Sequence, residues 1–122
     1  MLALLLAAFV TTTSFAAESP KITKEKFATD YKAKMAELFC GEKTYFRQCF
    51  TGTMESCKKA ALSAAEGCLS EMDKTLPAHI TSQAEGKTLG EKIGTCAGEK
   101  FEMALLKEKK DTADCKDPAK WK

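Results

Sequence analysis

Apolar residues recur along this chain at helical spacing, in stripes separated by short polar breaks. Phe27, Tyr31, Met35 and Phe39 follow one another at four-residue steps with Leu38 alongside, which marks one face of an α-helix. Thr23 stands before the stripe as an N-cap, Ile22 and Phe27 hold hydrophobic-staple positions, and Gly41 follows Cys40 where a helix would stop. The pattern predicts a helix over 24–40. The aromatic-dense segment 42–50 reads as one or two helical turns closed by Thr51-Gly52. An alanine-rich helix is expected from Thr53 to about Thr75, because Pro77 pushes the preceding Leu76 out of the helical region. After a linker over 77–87, Thr88 and Glu91 form a capping-box pattern, and a third long helix is expected to run to about Lys110 through Ile93, Ala97, Phe101 and Leu105. The fold class expected is all-α: a small disulfide-stapled bundle of three longer helices plus a short one.

Ahead of these elements, Met1–Val10 is uninterruptedly apolar and gives way to small and hydroxylated residues. That is the layout of a signal peptide over 1–16, with Ser14 and Ala16 as the small residues before the cut and Ala17 as the first mature residue. The run is shorter than the ~20 residues needed to span a bilayer, and no second one follows. Residues 17–122 are read as a single domain, too short to divide further.

All six cysteines lie behind the leader, at positions 40, 49, 57, 68, 96 and 115. An even count after a signal peptide is the pattern of three disulfides in an oxidising compartment, the periplasm or the exterior. No Cys-x-x-Cys pair is present and His79 is the only histidine, so neither a metal nor another cofactor is expected. Cys57 and Cys68 share a face of the second helix but stand about 16 Å apart along its axis, which excludes that pair. If helices two and three form an antiparallel hairpin, Cys68 and Cys96 are level, and that bond is expected. For the rest, Cys49 with Cys57 and Cys40 with Cys115 is the preferred arrangement.

Gly90, Gly94 and Gly98 fall at four-residue steps on the side of Phe101 and Leu105, forming a smooth groove on helix three. The reading preferred here seats the alanines of helix two, Ala60, Ala61, Ala64 and Ala65, in that groove.

Composition narrows the function classes. Lysines and arginine total 19 against 17 acids, a formal charge of +2, and the signs are interleaved. Without a basic stripe studded with aromatics there is no nucleic-acid surface. The one dense run, Lys107-Glu-Lys-Lys110, is read as a helix end where cations complement the dipole. Glu66 and Glu71 are read as solvent-facing helix residues and His79 as a linker residue, while nucleophile and phosphate-loop motifs are missing. No catalytic residues are therefore assigned, and the chain is expected not to be an enzyme. Tyr45, Phe46 and Arg47, with the chain's single tryptophan, Trp121, form the candidate partner-binding set, since aromatics and arginine concentrate at interface hot spots. The function expected is that of a secreted or periplasmic interaction protein binding another protein, in the manner of an inhibitor or immunity factor. The alternative is a carrier of a small apolar ligand, with the glycine groove and Phe27, Tyr31 and Phe101 lining a cavity.

Overall fold

Small side chains on one helix decide how this chain packs. The computed structural model describes residues 21–122; the expected signal peptide and its expected cleavage point lie outside them. The long helices are α1 (Lys24–Cys40), α3 (Met54–Met72) and α4 (Gln83–Ala104), with a one-turn helix α2 (Tyr45–Gln48) between the first two. In α3 Ala61, Ala64, Ala65, Cys57 and Cys68 are all buried. With so little bulk, α3 admits a helix closely on either side, and α1 and α4 flank it. The ion pair of Lys24 with Asp73 sets the start of α1 beside the end of α3, so the two run antiparallel. Thr23 caps α1 as the sequence reading places it, and Thr53, read as the first residue of the second helix, is its N-cap, in a reciprocal capping box with Ser56.

Four features of the backbone and the disulfides depart from that reading. First, α4 begins at Gln83, with Ser82 as N-cap accepting from the Glu85 N–H. Thr88 lies inside the helix, its hydroxyl bonded to the Ala84 carbonyl. The earlier start follows from the second feature, a strand in the linker. β2 (His79–Ile80) pairs antiparallel with β1 (Ile22–Thr23), aligning Ile22 with Ile80. This ladder pins the segment ahead of Ser82 to the start of α1.

Third, α4 stops at Ala104, and the chain continues through a 3-10 turn, Leu106–Glu108, into an extended stretch. Residues 107–110 are therefore not the end of the third long helix. They run beside the loop after α2, where Phe50 bridges Lys109, the Thr51 N–H donates to the Glu108 carbonyl at 2.8 Å, and the Lys110 N–H donates to the Cys49 carbonyl at 2.7 Å.

Fourth, the disulfides are Cys40–Cys57, Cys49–Cys115 and Cys68–Cys96. The hairpin bond between Cys68 and Cys96 forms, with the different helix boundaries taken up in the connection 73–82. The Cys49–Cys57 and Cys40–Cys115 pairings do not form. The antiparallel packing of α1 and α3 sets Cys40, the last residue of α1, beside the first turn of α3 and so beside Cys57. The ladder between the loop and the extended stretch carries the tail past Cys49 instead of Cys40. There α5 (Ala113–Lys116) delivers Cys115.

The glycine groove is filled, but not by α3. A methyl group on Gly94 would meet the Tyr31 hydroxyl at 3.2 Å, and one on Gly98 would meet the Phe46 ring at 3.3 Å. The bare backbone of α4 at these positions lets Tyr31 of α1 and Phe46 of α2 seat against it. Tyr31 donates its hydroxyl proton to the Gly90 carbonyl at 2.7 Å. Gly41 ends α1 at φ −57°, without a left-handed turn; among the described residues only Gly52, at φ 122°, requires glycine on that ground.

Phe101, fully buried, is the centre of the core: Phe39, Phe46 and Phe50 surround its ring with centroids 5.9, 4.7 and 5.4 Å away. Phe101→Ala is expected to cost about 3–5 kcal/mol in chemical denaturation, the usual loss for a buried phenylalanine. Dithiothreitol is expected to lower the thermal midpoint steeply, since each disulfide contributes about 2–4 kcal/mol; an unchanged melt would contradict that dependence.

Candidate aromatic cleft at the tail

Aromatic contacts continue outward from the core and end at the surface. Phe46 and Phe50 both touch the Tyr45 ring, at 5.1 and 5.7 Å, and Tyr45 meets Trp121 edge-on at 5.8 Å. Tyr45 is placed by α2, whose N-cap Thr44 accepts from the Arg47 N–H. Trp121 is placed by the tail, where Pro118–Trp121 forms a 3-10 turn capped by Asp117, and the indole N–H donates to the Asp114 carbonyl at 2.8 Å. The Cys49–Cys115 bond joins these two supports covalently.

Between them lies a surface cleft of about 560 Å³ lined by Tyr45, Phe46, Glu102, Lys109, Lys116 and Trp121, with Pro118 and the Cys115 end of the disulfide completing the wall. Glu102, from the last turn of α4, accepts the Tyr45 hydroxyl proton at 2.9 Å and pairs through the same oxygen with the Lys109 ammonium. That ammonium lies 5.6 Å from the centre of the Tyr45 ring, within cation–π range. Lys116 is paired with Asp111 and Lys120 with Asp114. On the other flank of Trp121, Leu38, Lys43, Lys120 and Lys122 help line a second hollow of about 500 Å³.

The electrostatics of the cleft are uniform in sense. The hydrogen bond from Lys109 holds the Glu102 carboxyl below the usual carboxylate range, and the bond to Glu102 raises Lys109. Loss of solvent raises the Tyr45 phenol, and burial pushes Tyr31, outside the cleft, up to about 12.

Of the candidate binding residues, the fold brings Tyr45, Phe46 and Trp121 together and leaves Arg47 out. The guanidinium turns away to the Gly52 carbonyl, 3.2 Å off, and supports the turn into α3. Glu102 and Lys109 were missed by sequence reasoning, since Lys109 sat in a run taken as a solvated helix end. Glu66 and Glu71 are exposed, Glu71 paired with Lys100, and His79 is an exposed strand residue. Among the described residues no three His, Cys, Asp or Glu side chains converge to hold a metal ion, and no helix is long and apolar enough to cross a membrane.

Comparison with known families adds the cellular context. A family model described as "NttA: T2SS substrate NttA" matches residues 21–109. The chain belongs to the NttA family. A T2SS substrate is a secreted protein that passes through the periplasm, an oxidising compartment in which three disulfides form and persist. The NttA match takes in Tyr45, Glu102 and Lys109, while Cys115 and Trp121 lie past its end. No curated protein and no solved structure matches the chain.

The chain's two tyrosines provide a spectroscopic check. In the native protein both are expected to ionise above the ordinary value of 10.0, Tyr31 near 12, followed through phenolate absorbance; in denaturant both return to about 10. The folded protein then holds protons that the unfolded chain has released, so stability is expected to fall as pH rises from 10 towards 12.

Proposed function

We propose that this NttA-family protein is a non-enzymatic binding protein that works outside the cell, docking to a protein partner through the Tyr45–Phe46–Trp121 cleft. One observation carries the reading: half-buried aromatic side chains are held at the mouth of a cleft by a disulfide, an indole hydrogen bond and a carboxylate. Rigid aromatic anchors beside a pocket give large contact area with little entropy to lose, as at interface hot spots.

The protonation states support binding over catalysis. A general acid or base works best with a pKa near the operating pH, yet Glu102 is held more acidic, and Lys109 and Tyr45 more basic, than their ordinary values. Each is fixed in the form it already has at neutral pH. Obstruction of a partner's own site, as an inhibitor or immunity factor would do, is the mode of action a stiff cleft of this kind suits. The carrier reading draws less support, because the groove it needed between α1 and α4 is occupied by Tyr31 and Phe46.

The test is native mass spectrometry of the protein recovered from the extracellular medium without reductant. The chain is expected at a mass short of two hydrogens for each of its three disulfides, with a second protein bound. Tyr45→Ala combined with Trp121→Ala is expected to abolish the complex while leaving the far-ultraviolet circular dichroism of the bundle unchanged. A complex that persists in the double variant would show that the cleft is not the binding face.

A further inference from the structure

We infer that the group taken by the cleft is a neutral sugar ring carried on the partner, an inference that rests on the cleft being the binding face. Three features of the lining lead to it. The first is charge. Lys109 is paired with Glu102 and Lys116 with Asp111, so the cleft presents ion pairs in place of a net charge. Neither pair offers a bare charge to draw an ion, and a neutral ligand leaves both standing.

The second is the shape of the apolar wall. Tyr45 and Trp121 stand at 62° to each other, with Pro118 beside them. With the Lys109 ammonium over the Tyr45 ring, it is Trp121 that offers ring surface to a ligand with a flat C–H face, and a pyranose has one. The electron-rich face of an aromatic ring attracts the slightly positive hydrogens there. The volume of about 560 Å³ lies in the range of small-ligand sites.

The third is the polar edge. Glu102 accepts from Tyr45 and Lys109 through one oxygen, and its second oxygen has no hydrogen-bond partner among the described residues. An ammonium has three protons to donate, and that of Lys109 spends one on Glu102. An acceptor and a donor thus stand side by side against the ring wall. A hydroxyl gives one proton and accepts others, so neighbouring hydroxyls on a sugar satisfy both at once. An apolar side chain would satisfy neither.

Trp121 is the chain's only tryptophan, so its emission and its indole N–H resonance report on the cleft directly. The oxidised full-length protein is titrated with neutral trisaccharides of glucose, mannose, galactose and N-acetylglucosamine. At least one is expected to move both signals saturably. Glu102→Gln is expected to weaken that binding by about tenfold, the cost of a compromised hydrogen bond to a charged group, while Lys43→Ala, in the hollow across Trp121, leaves it unchanged. Silence of both signals with all four sugars would overturn the inference; if capture of the partner still depends on Tyr45 and Trp121, the binding-face reading survives that result. Sugar binding undiminished in both Glu102→Gln and Tyr45→Ala would also overturn it, as would a response confined to an acidic peptide or to anionic vesicles. Sugar binding retained in Tyr45→Ala, read through Trp121, together with partner binding retained in the double variant, would remove the inference and the binding face together.

Discussion

The alanine face of α3 is the constraint on which the rest of the molecule depends. A helix lined by Ala61, Ala64 and Ala65 brings backbone close to backbone but contributes little volume of its own. It therefore holds α1 and α4 against its two sides while leaving a wedge between them that neither fills with short side chains. Cys57 and Cys68, one in the first turn of α3 and one near its end, tie it to α1 and α4 respectively. With the three helices fixed this way, the wedge has to be filled from outside α3. Tyr31 and Phe39 enter from α1, Phe46 from α2 and Phe101 from α4, and the glycines of α4 give Tyr31 and Phe46 their seats.

The surface site follows from the same filling. Phe46 can reach Gly98 only if α2 lies across the open end of the wedge, and with α2 in that position its neighbouring residue Tyr45 must face outward. The chain then returns from α4 along the loop after α2, which puts Lys109 over the Tyr45 ring and Cys115 against Cys49. The Tyr45 side of the cleft is the far end of contacts in the core. Stiffness at the surface is thus inherited from packing, and a ligand meeting Tyr45 and Trp121 finds groups whose freedom has already been lost on folding, which is the meaning of preorganisation.

How much of this was legible in the sequence depends on the range of the interactions involved. The stripe from Phe27 to Phe39 and the cap Thr23 are decided within a few residues, and α1 is where the pattern places it, while α3 starts one residue later and ends a few residues earlier than the pattern places it. The start of α4 was ambiguous for a local reason: Ser82 with Glu85 and Thr88 with Glu91 are both capping-box patterns, and only the pairing of Ile80 with Ile22, far away in the chain, chooses between them. The disulfide exchange among Cys40, Cys49, Cys57 and Cys115 has the same origin, since it turns on a backbone ladder between Phe50 and Lys109 that no periodicity reveals. The glycine stripe was visible, but its occupant was not, because nothing local says that α3 would hold α1 and α4 apart. In the cleft, Tyr45, Phe46 and Trp121 stood out by residue type. Glu102 and Lys109 are ordinary charged residues in a chain rich in them and acquire a role only through the fold.

Ion pairing sets the character of that surface. A chain carrying 19 basic and 17 acidic residues could have grouped them into opposed patches. Around the tail it does the reverse, matching Lys109 with Glu102, Lys116 with Asp111 and Lys120 with Asp114. Exposed pairs of this kind add little stability one by one, so their consequence lies elsewhere: they cancel the local field while leaving polar atoms in place. What distinguishes the cleft from the surrounding surface is then ring area and hydrogen-bonding geometry, both short-ranged and indifferent to ionic strength.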